Sequence, residues 1–194
     1  MNAVLESLSW SAQDFRDIVW PVVSGFPIVG GGSLRPVEAA VLSDFADELD
    51  LLAGIDAWQI DPGTPMVRGL ASRVQWGTAH NSFSIRYKLP SGQPTEFDKR
   101  VLSIQNKNLG HLFPYLTIQA YLDERGGKLL SCAAIETERL FQVAQRLVNS
   151  GALANNRNPS LYGIQTLSDG TEFIYLNWHY LTYLEVLSGA NTQV

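Results

Sequence analysis

The chain has 194 residues, 45% of them hydrophobic and 17% charged, enough for one core with an added lobe. Its formal net charge of −5 excludes nucleic-acid binding by bulk positive charge, although not a local basic face. No apolar run approaches the roughly 20 residues of a membrane span, and the opening MNAVLESLSWSAQD carries Glu6 and no basic start, so a cytoplasmic protein without membrane contact is expected.

In chain order, SAQDFRDIVW predicts a helix, with Ser11 and Asp14 in capping-box spacing and Pro21 expected to end or kink it. The glycine-rich stretch from Ser24 to Leu34 predicts a connector. Its GGG lacks the Gly-Lys-Ser/Thr of a phosphate loop. From Pro36, the residues Val37, Val41, Phe45, Leu49 and Leu52 recur at helical spacing until Gly54, which predicts an amphipathic helix. Three strands are expected over 55–60, 67–76 and 82–89.

A second helix is expected to start at Thr95, with Asp98 at its third position, and to run towards Asn108 and Gly110. The segments 115–123 and 128–136 predict a strand pair around the lone Cys132, read as a buried thiol. Thr137 should cap the helix that follows. Asp169-Gly170 marks the turn of a final hairpin, then comes a short helix, and GANTQV is expected to fray. The order predicts an α/β fold, a mixed sheet flanked by helices. Three units are expected: an N-terminal helix and connector over 1–35, an α/β core over 36–150, and a C-terminal hairpin and tail over 151–194 packed on that core.

Alternation along LASRVQW sets Ala71, Arg73 and Gln75 opposite Leu70, Val74 and Trp76. On FSIRYK it sets Ser84, Arg86 and Lys88 opposite Phe83, Ile85 and Tyr87. If the two strands pair across GTAHN, Arg73, Gln75, Arg86 and Lys88 make one basic face. Asp56 heads the preceding strand, directly after the helix stop at Gly54, and Glu38 lies one turn into the helix. A carboxylate with amide or carbonyl oxygens holds a hard divalent ion, and a neighbouring cation steadies a phosphate. The bland alternative has Asp56 accepting backbone N–H groups of the Gly54 turn.

With Gly54, Ile55 and Asp56 followed by a strand of alternating polar residues, the stretch from about 36 to 136 resembles the PD-(D/E)XK nuclease superfamily. That family's core is a helix, three strands, a helix and a further strand. The resemblance implies a restriction-endonuclease-like core and a possible Mg²⁺-dependent (or Mn²⁺-dependent) endonuclease. Asp56 and Gln75 would hold the metal, with Arg73 and Glu38 completing the catalytic set. The family carries an acid or amide, any residue, then lysine on its second strand, and this chain reads Ala71-Ser72-Arg73-Val74-Gln75 there. Arginine stabilises charge but is a poor proton acceptor.

Arg86, Lys88, Lys99 and Arg100 are the candidate substrate contacts, the last two at the head of the second helix, whose positive end suits an anion. The alternative to catalysis is a binding module of the same fold for nucleic acid or protein. Tyr175, Trp178, Tyr180 and Tyr183 make the C-terminal region aromatic, which suits a protein partner or a homodimer contact.

Overall fold

The computed structural model describes residues 10–37, 54–156 and 158–194. The helix expected over Pro36 to Leu52 therefore lies, beyond Val37, outside the described residues, and so does Glu38. Pro36 itself ends a strand.

The chain is helical over 10–23. Its middle turn, Phe15–Val19, is π-helical, and its last turn is α1 (Trp20–Val23). Pro21 was expected to end or kink the helix, and it does not end it: the helix passes through, changing there from π to α. The Trp20 N–H donates to the Phe15 carbonyl, five residues back, so Pro21 falls in the first turn of a new α segment, where its missing N–H is tolerated. Asp14 does not cap. It is 3% exposed and accepts the indole N–H of Trp76 at 2.8 Å and the N–H of Gly126 at 3.2 Å.

The strands are β1 (Ser33–Pro36), β2 (Ala57–Asp61), β3 (Met66–Trp76), β4 (Ser82–Lys88), β5 (Leu116–Leu122), β6 (Leu129–Glu136), β7 (Tyr162–Thr166), β8 (Glu172–Asn177) and β9 (Thr192–Gln193). Helices α2 (Glu96–Gln105), α3 (Thr137–Asn149) and α4 (Trp178–Tyr183) complete the elements used below. Among the described residues, six strands form one mixed sheet in the order β1-β2-β3-β5-β6-β9, and β4-β8-β7 form a second. The fold is α/β, a mixed sheet flanked by helices, with a smaller sheet added.

Strand β4 does not pair with β3 across GTAHN as expected. Strand β5 takes that ladder in parallel, from Leu70 opposite Leu116 to Trp76 opposite Leu122. From Ile118 to Leu122 every residue of β5 is buried, so the strand is stable only inside a sheet covered on both faces, and α2 lies in the crossover that a parallel pair needs. Strand β4 alternates between buried and polar residues and pairs with β8 instead.

Two apolar clusters fill the two faces of the large sheet. Leu70, Val74, Ile118, Ala120 and Cys132 pack against Phe15, Val19 and Val23 of the N-terminal helical segment. Tyr121, Ala133 and Ile135 face α3 and the buried side of the small sheet, with Phe83, Ile85, Ile174 and Leu176. Burial pushes the Cys132 thiol up to about 12.

Thr137 is the first residue of α3 rather than its cap, and its hydroxyl shares a 2.9 Å hydrogen bond with that of Thr117. The expected fray at the C-terminus is instead β9, which covers the outer edge of β6 with Gln193 opposite Cys132. The expected boundary at residue 35/36 falls inside β1, and the C-terminal hairpin shares a sheet with β4.

Candidate functional site

Strand β2 pairs with β3 only from Ala57 opposite Leu70 to Asp61 opposite Met66. Asp56 stands just beyond this ladder, level with Ala71. Its N–H donates to the Leu70 carbonyl at 2.9 Å, and its Oδ2 accepts the Ser72 N–H at 2.6 Å and the Ser72 hydroxyl at 3.4 Å. The carboxylate thus takes the backbone donor that a longer β2 would have taken. Gly54, at φ +56°, allows the tight approach behind it, since a Cβ there would lie 2.5 Å from Arg100 Nη2.

Ala71, Arg73 and Gln75 share the inner face of the sheet, as alternation predicts. Gln75 lies four residues beyond the level of Asp56, about 13 Å along the strand. The structure does not bring these two together. Arg73 reaches away from Asp56: its Nη1 donates to the Ser84 carbonyl at 2.9 Å and the Ser84 hydroxyl at 3.0 Å, and its Nη2 pairs with Glu96 Oε2 at 3.1 Å.

These bonds belong to a larger pattern along the free edge of β4. The Tyr121 hydroxyl donates to the Ser82 carbonyl at 2.7 Å and lies 3.4 Å from the Ser82 N–H. Arg73 takes the Ser84 carbonyl, and Glu96 Oε2 accepts the Arg86 N–H at 3.2 Å. Side chains from the large sheet and α2 therefore satisfy edge groups of β4 and fasten the small sheet to the large one. Burial raises the Tyr121 hydroxyl above its ordinary pKa, opposed by its bonds to Ser82. Glu96 and Tyr121 were not candidates in the sequence. A glutamate heading a helix reads as a dipole partner, and nothing local couples either residue to β4.

The remaining candidates are largely committed. Lys88 lies 3.5 Å from Glu172, its side chain 64% exposed. Arg100 is buried, donates to the Gly54 carbonyl at 3.2 Å and lies over the Phe141 ring. Lys99 has an interaction of its own. The positive end of α2 is occupied by its capping box, Asp98 Oδ2 accepting from the Thr95 N–H at 2.8 Å and hydroxyl at 2.9 Å. Arg73 and Arg86 do meet as the shared-face reading expects, each guanidinium 5.7 Å from the centre of the Phe173 ring. Of the C-terminal aromatics, Trp178 is buried, Tyr180 packs on Tyr162 and Tyr183 is 80% exposed, so they form no single surface.

Beyond the Arg73 clamp a cleft of about 720 Å³ opens between the free end of β3 and the small sheet. Val74, Gln75 and Trp76 line one side. Ser82, Ser84, Phe173, Tyr175, Asn177 and Gln165 line the other, all on the polar face of the small sheet, because Ser82 pairs Asn177, Ser84 pairs Tyr175, and Phe173 pairs Gln165. The volume falls in the range of small-ligand sites. Among the described residues, no three His, Cys, Asp or Glu side chains group as metal ligands would. Also among them, no helix is long and apolar enough to cross a membrane.

A scan against protein-family models finds no match, and searches of curated proteins and of solved structures find none either.

Proposed function

We propose that this chain is a nucleic-acid-binding module built on a nuclease-like core, without metal-dependent cleavage at Asp56. The likeness of the core is supported by the chain order β2, β3, β4, α2 and β5, of which β2, β3 and β5 share the large sheet, with Asp56 directly before the first of these strands. The observation that carries the non-catalytic reading is the register that sets Ala71, a methyl group, beside Asp56.

A divalent cation of this kind takes several oxygen ligands at about 2.0–2.6 Å. Among the described residues, an ion at Asp56 would meet one carboxylate already holding Ser72, a methyl group across the strand, and Gln75 too far along. This donor set does not fit Mg²⁺ or Mn²⁺. The cation expected to steady a phosphate, Arg73, is neutralised by Glu96.

The test is incubation with plasmid, single-stranded DNA and single-stranded RNA in Mg²⁺ or Mn²⁺, beside Asp56→Ala, together with gel-shift binding of the same substrates. The reading predicts retarded bands and no metal-dependent product. Cutting by the wild type that disappears in Asp56→Ala would overturn it in favour of a nuclease.

A further inference from the structure

The cleft beside the small sheet has a composition unlike the rest of the molecule. Among the described residues, none of the side chains lining it is that of an Asp, Glu, Lys or Arg. Its polar groups are carboxamides and hydroxyls, with the imidazole of His80 and the indole of Trp76 at one end. Gln75 and Gln165 make no side-chain hydrogen bond among the described residues, and Asn177 uses only its Oδ1, which accepts the His179 N–H at 2.8 Å. Among the described residues such a wall offers no carboxylate, ammonium or guanidinium to a metal ion or a phosphate. It suits an uncharged ligand that both donates and accepts hydrogen bonds.

The floor of the cleft is aromatic and low. Tyr175 faces Gly163 across β7 and β8, and a Cβ on Gly163 would lie 2.5 Å from the Tyr175 hydroxyl oxygen and 2.7 Å from Cζ. The phenol therefore lies across the neighbouring strand in the space a side chain would fill. Its hydroxyl also donates to the Pro159 carbonyl at 2.7 Å, outside the ring's stacking face. Phe173, two residues along the same face, sits beside it with Arg73 and Arg86 over its ring. Aromatic rings held on the face of a small sheet are a stacking surface for unpaired bases, and carboxamides match the paired donor and acceptor on a base edge.

We propose that the cleft between β3 and the small sheet is a nucleobase-binding site, in which Tyr175 is the stacking platform and Gln75, Gln165 and Asn177 read the edge of the base. The inference rests on the nucleic-acid reading above and gives it a location. A base pocket also suits a protein of net charge −5, because stacking and edge recognition do not require a basic groove. Arg86, exposed beside Phe173, is the group placed to meet the phosphate of the same nucleotide outside the cleft.

The experiment measures fluorescence anisotropy of labelled ten-residue oligonucleotides, mixed-sequence and abasic, with free adenosine, guanosine, cytidine and uridine as further ligands followed by calorimetry. Wild type is compared with Tyr175→Leu, Tyr175→Phe and Gln75→Ala, each checked for folding by circular dichroism. The site predicts that Tyr175→Leu weakens oligonucleotide binding about five-fold or more, the range of one stacked base. It also predicts that Tyr175→Phe stays close to wild type and that the abasic strand binds poorly. Gln75→Ala, which removes a side chain that makes no hydrogen bond among the described residues, should weaken binding even if Tyr175→Leu does not fold.

Equal binding of the abasic strand, or of all variants, would overturn the base pocket and leave the nucleic-acid reading standing. Binding of free nucleosides without oligonucleotides would uphold the pocket and overturn that reading. No binding of either would overturn both.

Discussion

The two ends of the inner face of β3 differ in what their polar groups do. At Asp56 and Arg73 they are spent within the protein: the carboxylate on Ser72, the guanidinium on Ser84 and Glu96. At Gln75 and across to Gln165 the carboxamides have no partner among the described residues and face a cleft. A cation or acid conspicuous in a strand pattern is therefore not by that fact a site. A charge on an inner face must be paired, and pairing it is how this fold joins its two sheets.

Removing the Arg73 clamp should damage the fold most. Arg73→Ala should cost about 2–4 kcal/mol, because Glu96 is left without its cation and the Ser84 carbonyl without its donor. In a chain of this size each kcal/mol lowers the melting temperature by about 2–4 °C. Arg73→Lys should recover only part of the loss, since an ammonium cannot span both partners as a planar fork does. Wild-type stability in Arg73→Ala would mean that the guanidinium is held for a ligand.

Asp56→Ala should come next, at about 1–3 kcal/mol, through the orphaned Ser72 N–H. Chemical denaturation reads this directly, and an unchanged midpoint would return Asp56 to the functional column.

Tyr121→Phe should cost about 1 kcal/mol at neutral pH by freeing Ser82. It also carries a pH signature. Burial holds the hydroxyl's pKa above the ordinary 10.0, so its contribution is complete below pH 10 and is lost as the pH rises towards the folded value. Wild type should therefore lose stability faster than Tyr121→Phe above pH 10. Cys132, raised by burial from 9.0 to about 12, adds a decline of the same sign to both proteins from pH 9, so the difference between the two curves is the informative quantity. Curves that stay parallel would show that the hydroxyl titrates alike in the folded and unfolded chain.

The smallest effect on stability belongs to the open end of the comparison. Gln75→Ala should change it by no more than about 0.5 kcal/mol. A larger loss would place Gln75 among the structural ties.

Local chemistry was legible where it acts locally. The Thr95–Asp98 capping box, the Asp169-Gly170 turn, the burial of Cys132 and the faces of β3 and β4 follow from residue spacing alone. Pairing partners do not. Alternation says which side chains share a face, but not that β5 would displace β4 beside β3, because that choice depends on covering a strand that is buried on both faces and more than forty positions away. The candidate site divided along the same line. Arg73 and Gln75 were visible as inward polar residues, whereas their fates depend on Ser84 and Tyr175 of the second sheet and on Glu96 of α2, which meet β3 only in the folded chain. The role of Gly163 beneath the Tyr175 ring has no local signal at all.

Binding in the cleft is read out residue by residue in a backbone amide NMR titration of the wild-type chain with a mixed-sequence single-stranded oligonucleotide. Shifts should gather at Gln75 and Trp76, at Ser82 and Ser84, and along Gln165 and Phe173 to Asn177, with Asp56, Ala71 and Ser72 unmoved. Shifts centred on Asp56 and Ala71, with the small sheet silent, would contradict binding in the cleft.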